Sequence, residues 1–126
     1  MSKQNLDISI LKKSHIISYF CFKHLIYKNG MNQYLITAFD GSDENALDHL
    51  KNIRPYHLEG VKKMKENGNF ILGGAILSDE GKMIGSTMIL QFENPQELQN
   101  WIDSEPYIQQ KVWEKFDVKP FRVANI

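Results

Sequence analysis

The sequence predicts an α+β domain: a four-stranded antiparallel sheet with two helices on one face. Three observations carry it. Two strand-like segments each lead into a helical segment, an apolar hairpin follows the first helix, and a last strand closes the chain. The order is β-α-β-β-α-β, the split βαβ arrangement of ferredoxin-like folds. At 126 residues the chain is long enough for one domain with its own core.

The first strand is read from Gln33 to Asp40, through Tyr34, Leu35, Ile36, Thr37, Ala38 and Phe39, and stops at Asp40-Gly41. Ser42 is the expected N-cap of the first helix, with Asp43 and Glu44 placed where a helix start favours negative charge. Helical spacing continues through Leu47, Leu50, Ile53, Leu58, Val61 and Met64 to a stop at Asn67-Gly68. Pro55 interrupts the pattern, so a kink or a restart is expected near Arg54.

Asn69 to Leu77 reads as the second strand and Lys82 to Phe92 as its hairpin partner, joined by Ser78-Asp79-Glu80-Gly81. Gly73 and Gly74 inside the second strand suggest close packing or a bulge. Asn94-Pro95-Gln96-Glu97 is a helix start with Asn94 as cap and Glu97 reaching back. That helix carries Leu98, Trp101 and Ile102. It breaks at Asp103-Ser104-Glu105-Pro106, where Glu105 is read as the cap of a second half through Tyr107, Ile108, Val112 and Trp113. A last strand is expected from Val118 to about Asn125, with Pro120 marking an edge or a bulge.

Two helices cover only one face of such a sheet. Ile84, Met88, Leu90 and Phe92 alternate with Met83 and Ile89, so both faces of the hairpin are apolar. A sheet-sized apolar patch is rarely left wet, which predicts a homodimer with sheet facing sheet. The 15 basic residues equal the 15 acidic ones, which argues against a sequence-independent nucleic-acid binder. The single cysteine, Cys21, excludes an internal disulfide framework and fits a reducing cytoplasm.

Residues 1–30 read differently. The apolar run Ile16 to Phe22 is too short to span a bilayer, so no membrane association is expected, and no cleavage site follows it. Met31 is the expected natural start, with residues 31–126 forming the domain. An amphipathic appendage is the second choice and a secretion signal the last.

The chemistry-bearing stretch is Ile53-Arg54-Pro55-Tyr56-His57-Leu58. With Leu47 at zero and ~100° per residue, the apolar positions average near ~310°, His57 falls near ~280° and Arg54 near ~340°. Both polar side chains are therefore expected to point toward the sheet, where burial is costly without a partner. Asp40, at the end of the first strand, is the expected partner of His57. A carboxylate fixes the tautomer, and the other ring nitrogen then works as general acid or base. The competing explanation is a histidine and an aspartate that only hold the fold. No His-x-x-x-His pair or cysteine cluster occurs, so neither a metal nor a cofactor is expected.

Several segments together resemble the YCII-related family of small bacterial proteins. They are Ile53 to Leu58, Phe70-Ile71-Leu72-Gly73-Gly74-Ala75, Gly85-Ser86-Thr87-Met88-Ile89, and Phe92-Glu93-Asn94 followed by Trp101. Glu105-Pro106-Tyr107 and Val118-Lys119-Pro120-Phe121 complete the set, and the resemblance covers residues 33–123. It implies a ferredoxin-like domain that dimerises through its sheets, as in dimeric α/β barrels. It also implies a site with His57 and Asp40 as the catalytic pair, and Arg54 matches the family's arginine before that histidine. Arg54 as an anion anchor, with Gly73, Gly74 and Ser86, is the expected substrate-binding set. The superfamily includes muconolactone-isomerase-like proteins and a chloromuconolactone dehalogenase. Cofactor-free isomerase, lyase or dehalogenase chemistry on a small organic acid or lactone is the implied activity, with a ligand-binding or structural homodimer as the alternative. Many relatives have Asp-Pro-Tyr where this chain has Glu105-Pro106-Tyr107, and Gly-Pro where it has Gly73-Gly74.

Overall fold

The computed structural model describes residues 30–126. The expected natural start at Met31 concerns the segment before it, which lies outside the described residues. The elements are β1 (Asn32–Asp40), α1 (Ala46–Glu66), β2 (Phe70–Leu77), β3 (Met83–Phe92), α2 (Pro95–Ser104), α3 (Pro106–Gln109) and β4 (Trp113–Phe121). The sheet order is β2-β3-β1-β4 with every neighbouring pair antiparallel, the ferredoxin-like α+β arrangement expected.

In β1, Tyr34, Ile36 and Ala38 are buried and alternate with more accessible neighbours. They lie opposite Leu90, Met88 and Ser86 of β3, and opposite Pro120, Val118 and Phe116 of β4. Directly paired residues share a face, so this row is the floor on which the helices sit. Leu50, Leu98, Trp101, Tyr107, Val112 and Trp113 close over it.

α1 begins later than expected. Asn45 is its cap, and the Asp43 carboxylate accepts from the Asn45 amide at 2.9 Å, so a local Asx turn replaces the Ser42 cap. The helix runs through Pro55 as one element, because tertiary packing outweighs the missing N–H. Its buried stripe is narrower than the spacing implied: Leu50 and His57 are buried, while Leu47, Arg54 and Leu58 are exposed. The helix ends as expected at Asn67, followed by Gly68 at φ 84°.

α2 starts as read. The Asn94 side chain accepts from the Glu97 amide at 2.9 Å, and Glu97 reaches back to the Glu93 amide at 3.1 Å. The last strand needs correction. It spans Trp113–Phe121 rather than starting at Val118, and Val112 and Trp113 are not helical. Lys111 sits at φ 58° and stops α3 after a single turn. The apolar spacing from Tyr107 to Trp113 imitates a helix because the turn brings both ends back to the same core. β4 is an edge strand, which accommodates Pro120.

The other sheet face presents Leu35, Phe39, Leu72, Ile76, Ile89 and Phe121, with no element among the described residues over it. No helix among the described residues is long and apolar enough to cross a membrane.

Candidate active site

His57 points from α1 toward the junction of α3 and β4, and it is 7% exposed. The carboxylate it meets is Glu105, not Asp40: Nδ1 lies 2.9 Å from Glu105 Oε1. That same oxygen accepts from the Tyr107 amide at 2.7 Å. The helix break at Glu105-Pro106 thus serves two purposes, capping α3 and receiving the imidazole. With Glu105 as carboxylate, both contacts require donation to Oε1, so Nδ1 carries the hydrogen and the neutral ring keeps its lone pair on Nε2.

Two aromatic rings fix the plane of the imidazole. Tyr107 stacks on it at 4.0 Å with 7° between planes, and Trp113 meets it edge-on at 5.7 Å. Tyr107 and Trp113 are themselves edge-to-face at 5.5 Å. The short helix α3 and the early start of β4 bring these two rings together.

Asp40 stands on the same sheet face as Ala38, opposite Trp113. The β1–β4 register shifts between Phe39 and Asp40, so an extra residue on β4 turns the end of the ladder. Irregularities of this kind commonly re-aim a side chain beside a site. Burial raises the Asp40 carboxyl above its ordinary 3.8, and the nearby His57 charge opposes the rise. Asp40 is therefore within electrostatic reach of the imidazole although Glu105 holds the hydrogen bond.

Tyr107 is 1% exposed. Burial pushes its hydroxyl above 10.0, Arg54 draws it back by charge and by a hydrogen-bonding approach, and the Asp40 and Glu105 carboxylates add to the rise. The Arg54 approach stops short of a formed hydrogen bond, since the hydroxyl has no partner of hydrogen-bonding geometry among the described residues. Arg54 itself is exposed, so it reaches the site from the rim rather than from beneath α1.

Asp40 Oδ1, the Tyr107 hydroxyl and Trp113 Nε1 are all buried and unpartnered among the described residues. Each such atom costs about 1–3 kcal/mol in a folded protein. Their gathering around one imidazole marks a polar surface left unspent by the fold.

Ser86 lies opposite Ala38 on the helix-side face, one strand from Asp40. Gly73 and Gly74 stand on the edge strand β2, two strands from Asp40. Gly73 pairs with Met88 on the helix side, whereas Gly74 pairs with Thr87 on the open face. The two glycines therefore do not share a surface. A depression of about 360 Å³ opens between the β1–α1 loop and the α3–β4 turn, lined by Gly41, Ala46, His49, Lys111 and Val112 among others. It begins one residue beyond Asp40 and one before Trp113. None of His57, Asp40, Glu105, Tyr107 and Trp113 lines it, so the depression adjoins the imidazole cluster in sequence without including it.

The sequence did not reveal Glu105 as the partner of His57, nor Tyr107 and Trp113 as its neighbours. The partners are 48 residues apart, and no local spacing encodes that contact. The available signals were a carboxylate directly before Pro106, read as a cap although it could also line a cleft, and the Asp-Pro-Tyr that many relatives carry at that place.

The YCII-related domain model matches residues 33–122. Protein YciI of Escherichia coli O6:H1 and of Shigella flexneri are each 33% identical over 95 residues, covering 71% of this chain and 95% of theirs. An uncharacterized protein of Haemophilus influenzae is 32% identical over 95 residues, with the same coverage. Among solved structures, 5-chloro-2-hydroxyhydroquinone dehydrochlorinase from Burkholderia phenoliruptrix AC1100, in complex with 2,5-dihydroxybenzoquinone, matches with a TM-score of 0.60. That match covers 73% of this chain and 95% of the other at 20% identity, a likeness of fold.

Proposed function

The chain belongs to the YCII-related family, and from that premise we propose that it is an enzyme acting on a small organic molecule by general acid–base chemistry centred on His57. The observation that carries this reading is the buried His57–Glu105 pair at 2.9 Å, within electrostatic reach of Asp40, whose Oδ1 is buried without a hydrogen-bond partner among the described residues. Glu105 orients the ring and stabilises its protonated form. Nε2 takes a proton from the substrate, and Asp40 accepts or returns a second proton. Arg54, at the rim, draws in an anionic group, and Ser86 lines the floor one strand away. No redox step is needed for isomerisation or elimination of this kind: one proton leaves carbon or oxygen, and the electron pair moves toward a leaving group or a carbonyl.

A structural neighbour named as a dehydrochlorinase lends support to elimination on an oxygenated ring, and organic acids or lactones remain within the same chemistry. The functional unit in this reading is a cytoplasmic homodimer paired through the open sheet face.

The deciding experiment is release of chloride from chlorinated hydroxyhydroquinones, or turnover of small lactones, by wild-type protein and His57→Gln. The variant should lose ~10²–10⁴ in rate. Its stability should stay within about 1–2 kcal/mol of wild type. Severe unfolding of the variant, with no activity or ligand response in the wild type, would instead assign His57 to the fold and the protein to a structural dimer.

A further inference from the structure

The Tyr107 hydroxyl has no part in the chemistry above, and its ring alone would satisfy the packing. A phenylalanine would stack on His57 equally well, at the same 4.0 Å and near-parallel setting. Yet the chain buries a hydroxyl there and gives it no hydrogen-bond partner among the described residues. The charges that act on it come from three directions: Arg54 on α1, Asp40 at the end of β1, and Glu105 from its own turn. The hydroxyl thus belongs to the ring that stacks on the imidazole, and among the described residues Arg54 is the cation whose charge favours its ionised form.

We propose that Tyr107 donates its hydroxyl to the substrate oxygen that becomes negative when His57 removes a proton, which makes hydroxylated enones and quinones the substrate class. This rests on the reading of His57 as the base. In the step, Nε2 takes the proton from an O–H or an adjacent C–H. The electron pair settles on the conjugated oxygen, which receives the Tyr107 hydrogen bond, with Arg54 balancing its charge. The proton stays on the imidazole until it is returned to the product.

The other unspent atoms select the same class. Trp113 Nε1 is a second buried donor and Asp40 Oδ1 a buried acceptor, and the hydrogen that Nδ1 gives to Glu105 leaves His57 Nε2 an acceptor. A ligand that meets both kinds carries a hydroxyl and a carbonyl or oxyanion close together. A plain carboxylate leaves the acceptors unmet, and a hydrocarbon ring leaves all of them unmet.

The test uses Tyr107→Phe, which keeps the stack and removes one oxygen, with 2,5-dihydroxybenzoquinone as the probe in calorimetric titration. Wild type should bind the probe and the variant should bind it at least about tenfold more weakly. Without ligand, the variant should unfold at the same or a higher urea concentration than wild type, because the lost hydroxyl had no partner. The proposal is overturned if wild type does not bind the probe, if the variant binds within twofold, or if the variant is clearly less stable. Binding lost in Tyr107→Phe while His57→Gln retains full turnover would sink the base reading alone. Binding unchanged in Tyr107→Phe while His57→Gln is inactive would sink only the oxygen-binding role.

Discussion

Glu105 holds two donors on a single oxygen, the His57 ring and the Tyr107 amide. Removing it strips the cap from α3 and leaves a buried imidazole unpaired. Glu105→Ala should therefore cost about 3 kcal/mol in urea unfolding. Glu105→Gln should cost less than half of that, since its amide oxygen still accepts from both donors. Asp40 gives a pH signature. Burial raises its carboxyl above 3.8 in the folded chain, so between 3.8 and the raised value the folded state binds more protons than the unfolded state. Stability from this group thus falls as pH rises through that window and is level on either side. Asp40→Asn should match wild type below the window and exceed it above, seen in unfolding curves from about pH 3 to about pH 7. His57 was legible in the sequence because helical phase marks an inward polar residue. Arg54 was half legible: its phase points it toward the site, but a long side chain on an exposed position reaches there along the surface. Glu105, Tyr107 and Trp113 were legible only as cap and core, because their meeting with His57 depends on how distant segments fold back.

At the scale of elements, the strands and helices with local signals came out nearly where the sequence put them. The Asn94-Pro95 start of α2 and the Asn67-Gly68 end of α1 are chemical instructions confined to a few residues. β4 was misplaced because its first residues, Trp113 to Phe116, carry no alternation that outweighs helical spacing from Tyr107 onward. Pro55 suggested a break that packing against the sheet overrides. The two glycines of β2 also separate once the faces are known. A Cβ at Gly73 would stand 2.8 Å from Phe70 Cζ and 3.1 Å from Met88 Cβ, whereas one at Gly74 meets nothing within 4 Å. Gly73→Ala should thus cost about 1–3 kcal/mol. Gly74→Ala should change stability by no more than about 0.5 kcal/mol, and urea titration of the two variants side by side tests the contrast.

At the scale of the whole molecule, the helices and the polar cluster occupy one side of the sheet, and Leu35, Leu72, Ile76, Ile89 and Phe121 remain on the other. Leu72 is 64% exposed, so Leu72→Glu should leave the single subunit folded. If copies pair through this face, sedimentation should show wild type as a dimer at micromolar concentration and Leu72→Glu as a monomer. A monomeric wild type would remove the pairing from the functional reading. The register shift at the end of β1 then acquires a further meaning. Phe39 on the open face and Asp40 on the polar face are consecutive residues across that irregularity. A neighbour that clamps Phe39 also restrains the backbone that carries Asp40. In such a dimer dilution would release that restraint, so affinity for a small molecule should decline as the protein is diluted below the dimer's dissociation constant, and mass action rather than any messenger would set the working state of the site.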